Sequence, residues 1–198
     1  MNQTQLFKEV SNIGKRFGKD ELAYFALTSK PELLLRDRLA SRLNRQLYSE
    51  GYKILREWKR TDLAILKDRK PKILLEFKAM YTFDGVSSPR EKRDVNQFPK
   101  LMLTDLKKAK RHTNKNTKIY SVLFAVHPLS VIDKNLPYAR KINSAFKLHG
   151  NPETVKTLCE QNIKNFFKNK EKRIIKSGTI NCGKWSGVKV ALLFYIVG

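Results

Sequence analysis

The chain has 198 residues, 41% of them hydrophobic, and carries 41 Lys and Arg against 18 Asp and Glu, a net charge of +23. That length suits one domain with an ordinary core, and so large a positive excess opposes compaction and favours polyanionic partners, nucleic acid above all. Cys159 and Cys182 stand alone, with no Cys-x-x-Cys or Cys/His cluster to suggest a structural zinc. They read as reduced thiols of a cytoplasmic protein. The start, Met1 to Leu6, lacks the apolar stretch of a signal peptide. The apolar tail Val190 to Val197 is too short to span a bilayer and reads as a buried strand, so no membrane partner is expected.

Leu6, Phe7, Val10, Ile13 and Phe17 recur at helical spacing, interrupted by Gly14 and Gly18. A second short helix is expected over Glu21 to Leu27. Ser29-Lys30-Pro31-Glu32 has the form of a capping box with proline in the first turn. The helix it opens runs to about Glu50 and stops at Gly51, with Leu35, Leu39, Leu43 and Leu47 as its buried stripe. Tyr52 to Trp58 reads as a strand. Ser88-Pro89-Arg90-Glu91 is a second capping-box pattern, opening a helix whose apolar face carries Phe98, Met102, Leu106 and Ala109, and Pro99 should kink or divide it. Ile119 to Val126 is a continuous apolar run, hence an interior strand that His127-Pro128 ends. Two helical stretches follow, Tyr138 to Leu148 and Pro152 to Lys170, then a basic arm from Lys164 to Lys176, and Gly183 to Gly187 turns into the last strand.

The most informative stretch lies between the first strand and the second capping box. Thr61-Asp62-Leu63-Ala64-Ile65-Leu66 leads through Asp68-Arg69-Lys70-Pro71 into Ile73-Leu74-Leu75-Glu76-Phe77-Lys78-Ala79-Met80, an apolar hairpin that contains Asp62, Glu76 and Lys78. An unpaired buried ion costs several kcal/mol, so these three residues need a reason. Side chains alternate along a strand, which puts Glu76 and Lys78 on one face and Leu75, Phe77 and Ala79 on the other. Folding the hairpin about Arg69 or Lys70 sets Asp62 opposite Glu76 or Lys78, with Cβ atoms roughly 4.5–5.5 Å apart. Two carboxylates and an amine converge. A hard cation such as Mg2+ takes one or two protein carboxylates and keeps several waters; it acidifies a bound water and neutralises phosphate charge. The amine beside it suits the attacking water or the crowded phosphorus. The competing reading, a solvated ion pair of Asp62 and Lys78 with Glu76 beside it, requires Leu74 and Met80 to be surface residues too.

An aspartate followed, after a short hairpin, by Glu-x-Lys resembles the PD-(D/E)xK nuclease superfamily of restriction-endonuclease-like proteins, here Asp62 and Glu76-Phe77-Lys78, with Thr61 in place of the usual proline. The resemblance extends over roughly Glu32 to Val126 through its order of a helix, three strands, a helix and a strand. It implies an α/β (α+β) fold: a central mixed β-sheet flanked by helices, with N-terminal helices and a basic helical C-terminal addition. In that reading the whole chain is one nuclease-like domain, its core at about residues 30–130 and the addition at about 131–198. It further implies metal-dependent hydrolysis of nucleic acid, most often DNA. Asp62 and Glu76 would bind Mg2+, which Mn2+ can replace, and Lys78 would serve the water and the phosphate. Glu32 fits the place of a glutamate that many family members bring from the first helix; its alternative is the capping box. Asp37, Glu57 and His127 are weaker candidates. Gln97 fits a position that some branches use on the second helix, and Arg90, Lys92, Arg93, Lys100 and Lys107 are placed to grip phosphates.

The resulting expectation is a metal-dependent endonuclease on double-stranded DNA, of restriction type, and a two-fold dimer because both strands must be cut. A junction-resolving or repair nuclease belongs to the same class. A non-catalytic DNA- or RNA-binding module explains the charge equally well but leaves the three convergent residues without a purpose. A structural protein of a ribonucleoprotein particle ranks last.

Overall fold

The computed structural model describes residues 1–88, 94–113 and 115–198. Arg90, Lys92 and Arg93, and with them the Ser88–Glu91 capping pattern, lie outside the described residues.

The chain forms α1 (Gln3–Ser11), α2 (Glu21–Thr28), α3 (Glu32–Leu47), β1 (Tyr52–Trp58), β2 (Thr61–Lys67), β3 (Lys70–Tyr81), α4 (Gln97–Ala109), β4 (Lys118–Pro128), α5 (Ala139–His149), α6 (Pro152–Asn169), β5 (Ile174–Trp185) and β6 (Val188–Val197). The strands make one six-stranded mixed sheet in the order β1-β2-β3-β4-β6-β5. The β3–β4 pair is parallel and the others are antiparallel. The parallel pair needs a crossover, and α4 is that crossover. Helices cover the sheet, so β4, β6 and the middle of β3 are almost continuously buried.

Three hairpin turns are made of two residues each, and both residues of each turn are left-handed: Lys59 and Arg60 (φ 50° and 68°), Asp68 and Arg69 (53° and 60°), Ser186 and Gly187 (48° and 80°). Right-twisted strands demand that handedness of so short a loop. The apex between β2 and β3 is thus Asp68–Arg69, one residue earlier than the sequence suggests.

Several expectations change in detail. The Leu35, Leu39, Leu43 and Leu47 stripe is buried, but Ser29 does not cap α3. Pro31 occupies the capping position without a side-chain bond. The helix carrying Phe98 begins at Gln97, so Pro99 sits in its first turn, where a proline breaks no hydrogen bond and causes no kink. Part of the basic arm is the edge strand β5, hidden from periodicity because only Ile180 and Cys182 of its residues are buried. The last strand, β6, lies between β4 and β5, so residues 131–198 complete the central sheet.

A left-handed conformation costs a non-glycine residue roughly 1–2 kcal/mol, against which glycine loses some entropy on folding. Arg69→Gly, far from any proposed site residue, is therefore expected to raise Tm by about 1–4 °C. Calorimetry checks this, and an unchanged or lower Tm would contradict the turn assignment.

Candidate functional site

The site begins where β2 and β3 part. Their ladder is paired through Leu63–Leu75. In a continuing register Asp62 would oppose Glu76, and Thr61 would accept from Phe77. Instead the Phe77 N–H donates to Asp62 Oδ2 at 2.7 Å. Two residues on, the Ala79 N–H donates to Glu32 Oε2 of α3 at 2.7 Å. Two further on, the Tyr81 N–H donates to Asp84 Oδ2 at 3.0 Å. Alternate N–H groups along one edge of a strand point the same way, and buried backbone donors must find acceptors. Three carboxylates take the place of the missing strand. This explains the absent capping box: the Glu32 side chain spans to β3 and not to its own helix end.

On the face that looks toward α4 stand Glu76 and Lys78. Glu76 is only 6% exposed, and its carboxyl lies within the field of the Asp62 carboxylate. Burial, then the negative charges of Asp62 and Asp105, push the Glu76 carboxyl up to about 8 against the opposing pull of Lys78. Glu76 therefore keeps its proton near neutrality. Burial also raises Glu32, with Asp62 adding to the rise and Lys78 and the Ala79 N–H opposing it.

Lys78 Nζ lies 2.7 Å from Asp105 Oδ2 of α4 and donates to the Phe77 carbonyl at 3.0 Å. Burial by itself would lower the Lys78 ammonium, but Asp105, Glu32 and Asp62 together outweigh it, and the group stays above the ordinary lysine range. Asp105 in turn meets Lys108 Nζ at 3.4 Å. Sequence reasoning missed Asp105, though a signal exists. It lies three residues after Met102 and four before Ala109, on the buried stripe of a lysine-rich helix, the same anomaly that drew attention to Glu76.

The other candidates separate. Asp37 and Glu57 both bind the buried guanidinium of Arg36, Asp37 through Nε at 2.8 Å and Glu57 through Nη1. Asp37 also pairs with Arg56 at 2.7 Å. His127 is buried, contacts Thr82 Oγ1 at 3.0 Å and, through burial and then the charge of Lys156, falls to about 4; it is a neutral core residue. Gln97 is exposed at the first position of α4. Lys100 is exposed and paired with Asp94 at 2.7 Å, and Lys107 is exposed. Leu74 and Met80, which a solvated face would require at the surface, are fully buried.

Among the described residues, no group of three or more His, Cys, Asp and Glu side chains is arranged to hold a metal; the acids meet as a pair. A pair meets the protein share of a Mg2+ shell, which is otherwise water. One more feature fits a hydrated ion. Ser121, the β4 neighbour of Glu76, is completely buried, and its hydroxyl has no hydrogen-bond partner. An orphaned buried hydroxyl beside Glu76 marks a polar recess that wants a further polar occupant.

Comparison with protein-family models, with curated proteins and with solved structures gives no match for this chain. Among the described residues, no helix is long and apolar enough to cross a membrane.

The raised Glu76 carboxyl has a consequence for stability. The folded protein keeps this proton up to about pH 8, whereas the unfolded chain releases it near the ordinary 4.5. Between those values the folded state binds more protons, so stability falls as pH rises. Its full contribution is present below the unfolded value and is lost through the folded one. In EDTA, the Tm of wild type relative to Glu76→Gln is expected to fall steadily between pH 5 and pH 8. A flat difference across that window would show that Glu76 is ionised.

Proposed function

We propose that the protein is a metal-dependent endonuclease acting on DNA, in the manner of the PD-(D/E)xK superfamily. The observation that carries this reading is the pairing of the Asp62 and Glu76 carboxylates where β2 and β3 diverge, with the Lys78 amine beside them ion-paired to Asp105. The order α3-β1-β2-β3-α4-β4, with β4 parallel to β3, agrees with the restriction-endonuclease-like core.

Asp62 and Glu76 would hold Mg2+ or Mn2+, which when bound supplies water activation and neutralisation of phosphate charge. This chain's own residues do the rest. The backbone N–H of Phe77 fixes Asp62 on one oxygen and leaves the other toward Glu76. Lys78 has three donors; Asp105 and the Phe77 carbonyl engage two, and the third serves a phosphate oxygen or the attacking water. Glu32, fixed by Ala79, closes the rim from α3. The net charge of +23 attracts the phosphate backbone, and the exposed Lys100 and Lys107 on α4 belong to that charge. Cleavage of both strands of a duplex would call for a two-fold dimer. Two buried free thiols and the absence of any spanning helix among the described residues accord with a cytoplasmic setting.

Plasmid nicking tests the proposal. Wild type is expected to cut with Mg2+ or Mn2+ and not in EDTA. Lys78→Ala and Asp62→Asn should each lower the rate by about 10²–10³-fold, the cost of removing one transition-state contact, with DNA affinity kept within a few-fold. Steep, salt-dependent DNA binding without any cutting would instead identify a non-catalytic binding module.

A second measurement addresses Asp105. Asp105→Ala should slow cutting in the wild-type background yet add little in a Lys78→Ala background, because the two act as one unit. Additive losses would assign Asp105 an independent role.

A further inference from the structure

Trp58 stands at the end of β1, and its place is set by an irregular backbone. Strand alternation would put it on the side of Ile54 and Arg56, toward α3. Glu57, however, has φ 52°, and its side chain turns to Arg36 on α3. Trp58 turns the other way and packs on Ala64, Leu66, Leu74 and Ala109. Ala64 and Leu74 each lie two residues from the acid pair, on the same face as Asp62 and Glu76. The indole therefore forms the wall of the site on the β1 side.

That wall is half-exposed, and basic side chains stand beside it. Lys59 Nζ lies 5.0 Å from the ring centroid, and His112, at the end of α4, meets the ring edge-on at 6.4 Å. Lys108, one turn before His112, leads back through Asp105 to Lys78. Arg60, Lys110 and Arg111 are exposed and make no ion pair among the described residues. Covering a small apolar cluster does not require an indole beside two acids and under an ammonium. Stacking platforms for unpaired bases combine an aromatic face with a basic track.

We infer that Trp58 is the platform on which the base next to the scissile phosphate stacks, so that the substrate presents an unpaired nucleotide at the site: a single strand, a junction or a frayed end. The step moves Lys59 from the ring to a neighbouring phosphate, replacing one cation–π contact with a base–indole stack and a charge-assisted phosphate bond. An intact duplex keeps its bases stacked on each other and cannot use the platform. The inference rests on the nuclease reading for its chemistry, but the stacking contact stands or falls by itself.

The experiment uses the full chain in EDTA, so cleavage plays no part. Trp185→Phe leaves Trp58 as the sole indole. A thymidine oligonucleotide is expected to quench its emission strongly, and a blunt duplex of equal length only weakly. By fluorescence anisotropy in an otherwise native chain, Trp58→Leu, which keeps the apolar cover, should weaken single-strand binding about tenfold or more. Duplex binding should stay within about twofold, and Trp58→Phe should restore most of the loss. Equal quenching by both ligands, or a Trp58→Leu protein that binds single strands like wild type, would overturn the platform and leave Trp58 as cover for the cluster. Quenching without any metal-dependent cutting would retain the platform and defeat the nuclease reading alone.

Discussion

Three backbone N–H groups on one edge of β3 organise this protein's chemistry. A strand that loses its neighbour halfway along must find acceptors for the donors it exposes, because an unmet buried amide costs about 1–3 kcal/mol. Carbonyls from a continuing β2 would suffice and would carry no function. The chain uses Asp62, Glu32 and Asp84 instead. A carboxylate offers about four acceptor sites, and a backbone amide takes one. The structural bond consumes little of the group and fixes one oxygen at 2.7 Å for both Asp62 and Glu32. Structural and chemical roles are here the same bond: an oxygen immobilised by the backbone presents its partner in a defined direction, the pre-organisation a binding site needs.

The electrostatics around that edge are unusual for a chain of net charge +23. Cations outnumber acids more than two to one, yet among the described residues no Lys or Arg forms an ion pair with Asp62 or Glu76. Arg36, the buried cation on α3, is divided between Asp37 and Glu57. Lys78 is divided between Asp105 and a carbonyl. Burial, then the charges of Asp62 and Asp105, keep a proton on Glu76 up to about pH 8. Two like charges in one recess disfavour joint ionisation unless a positive partner enters. Under the proposed function a divalent ion would be that partner and would take the place of the proton. Lys78, held by two contacts, cannot swing across to fill the place.

The hairpin was legible because its charges contradicted its apolar pattern, and alternation then fixed which residues share a face. Helix α3 was legible down to its buried leucines. What sequence could not supply was competition between partners. The motif Ser29-Lys30-Pro31-Glu32 satisfies a local rule, but Glu32 binds Ala79, 47 positions away, since a strand edge without acceptors outbids a helix end that water can solvate. Asp105 was hidden because local reading treats an acid among lysines as a surface charge, and only the packing of α4 over β3 shows that it faces Lys78. Strand β5 was hidden by its exposure, which removes the period-two signal, and Pro99 was misjudged by a matter of where α4 begins.

One backbone distortion ties the acid pair to the protein surface. Glu57 holds a left-handed conformation at a cost of roughly 1–2 kcal/mol, in a strand where any β-region residue would be comfortable. The strain is supported on both sides. Glu57 gains the buried Arg36 as a partner, and Trp58 gains the cluster of Ala64, Leu66, Leu74 and Ala109. An unstrained β1 would send Trp58 to the α3 side and leave Leu74 and Ala64 open beside Glu76 and Asp62, admitting water to the recess. It would also free Arg36 from Glu57, and Arg36 already lies within the field of Asp62; a freed guanidinium would be drawn to the acid pair and cancel the charge that the proposed function requires. The twist at Glu57 thus does two things at once: it keeps a competing cation away from the carboxylates, and it sets an aromatic wall where they meet the surface.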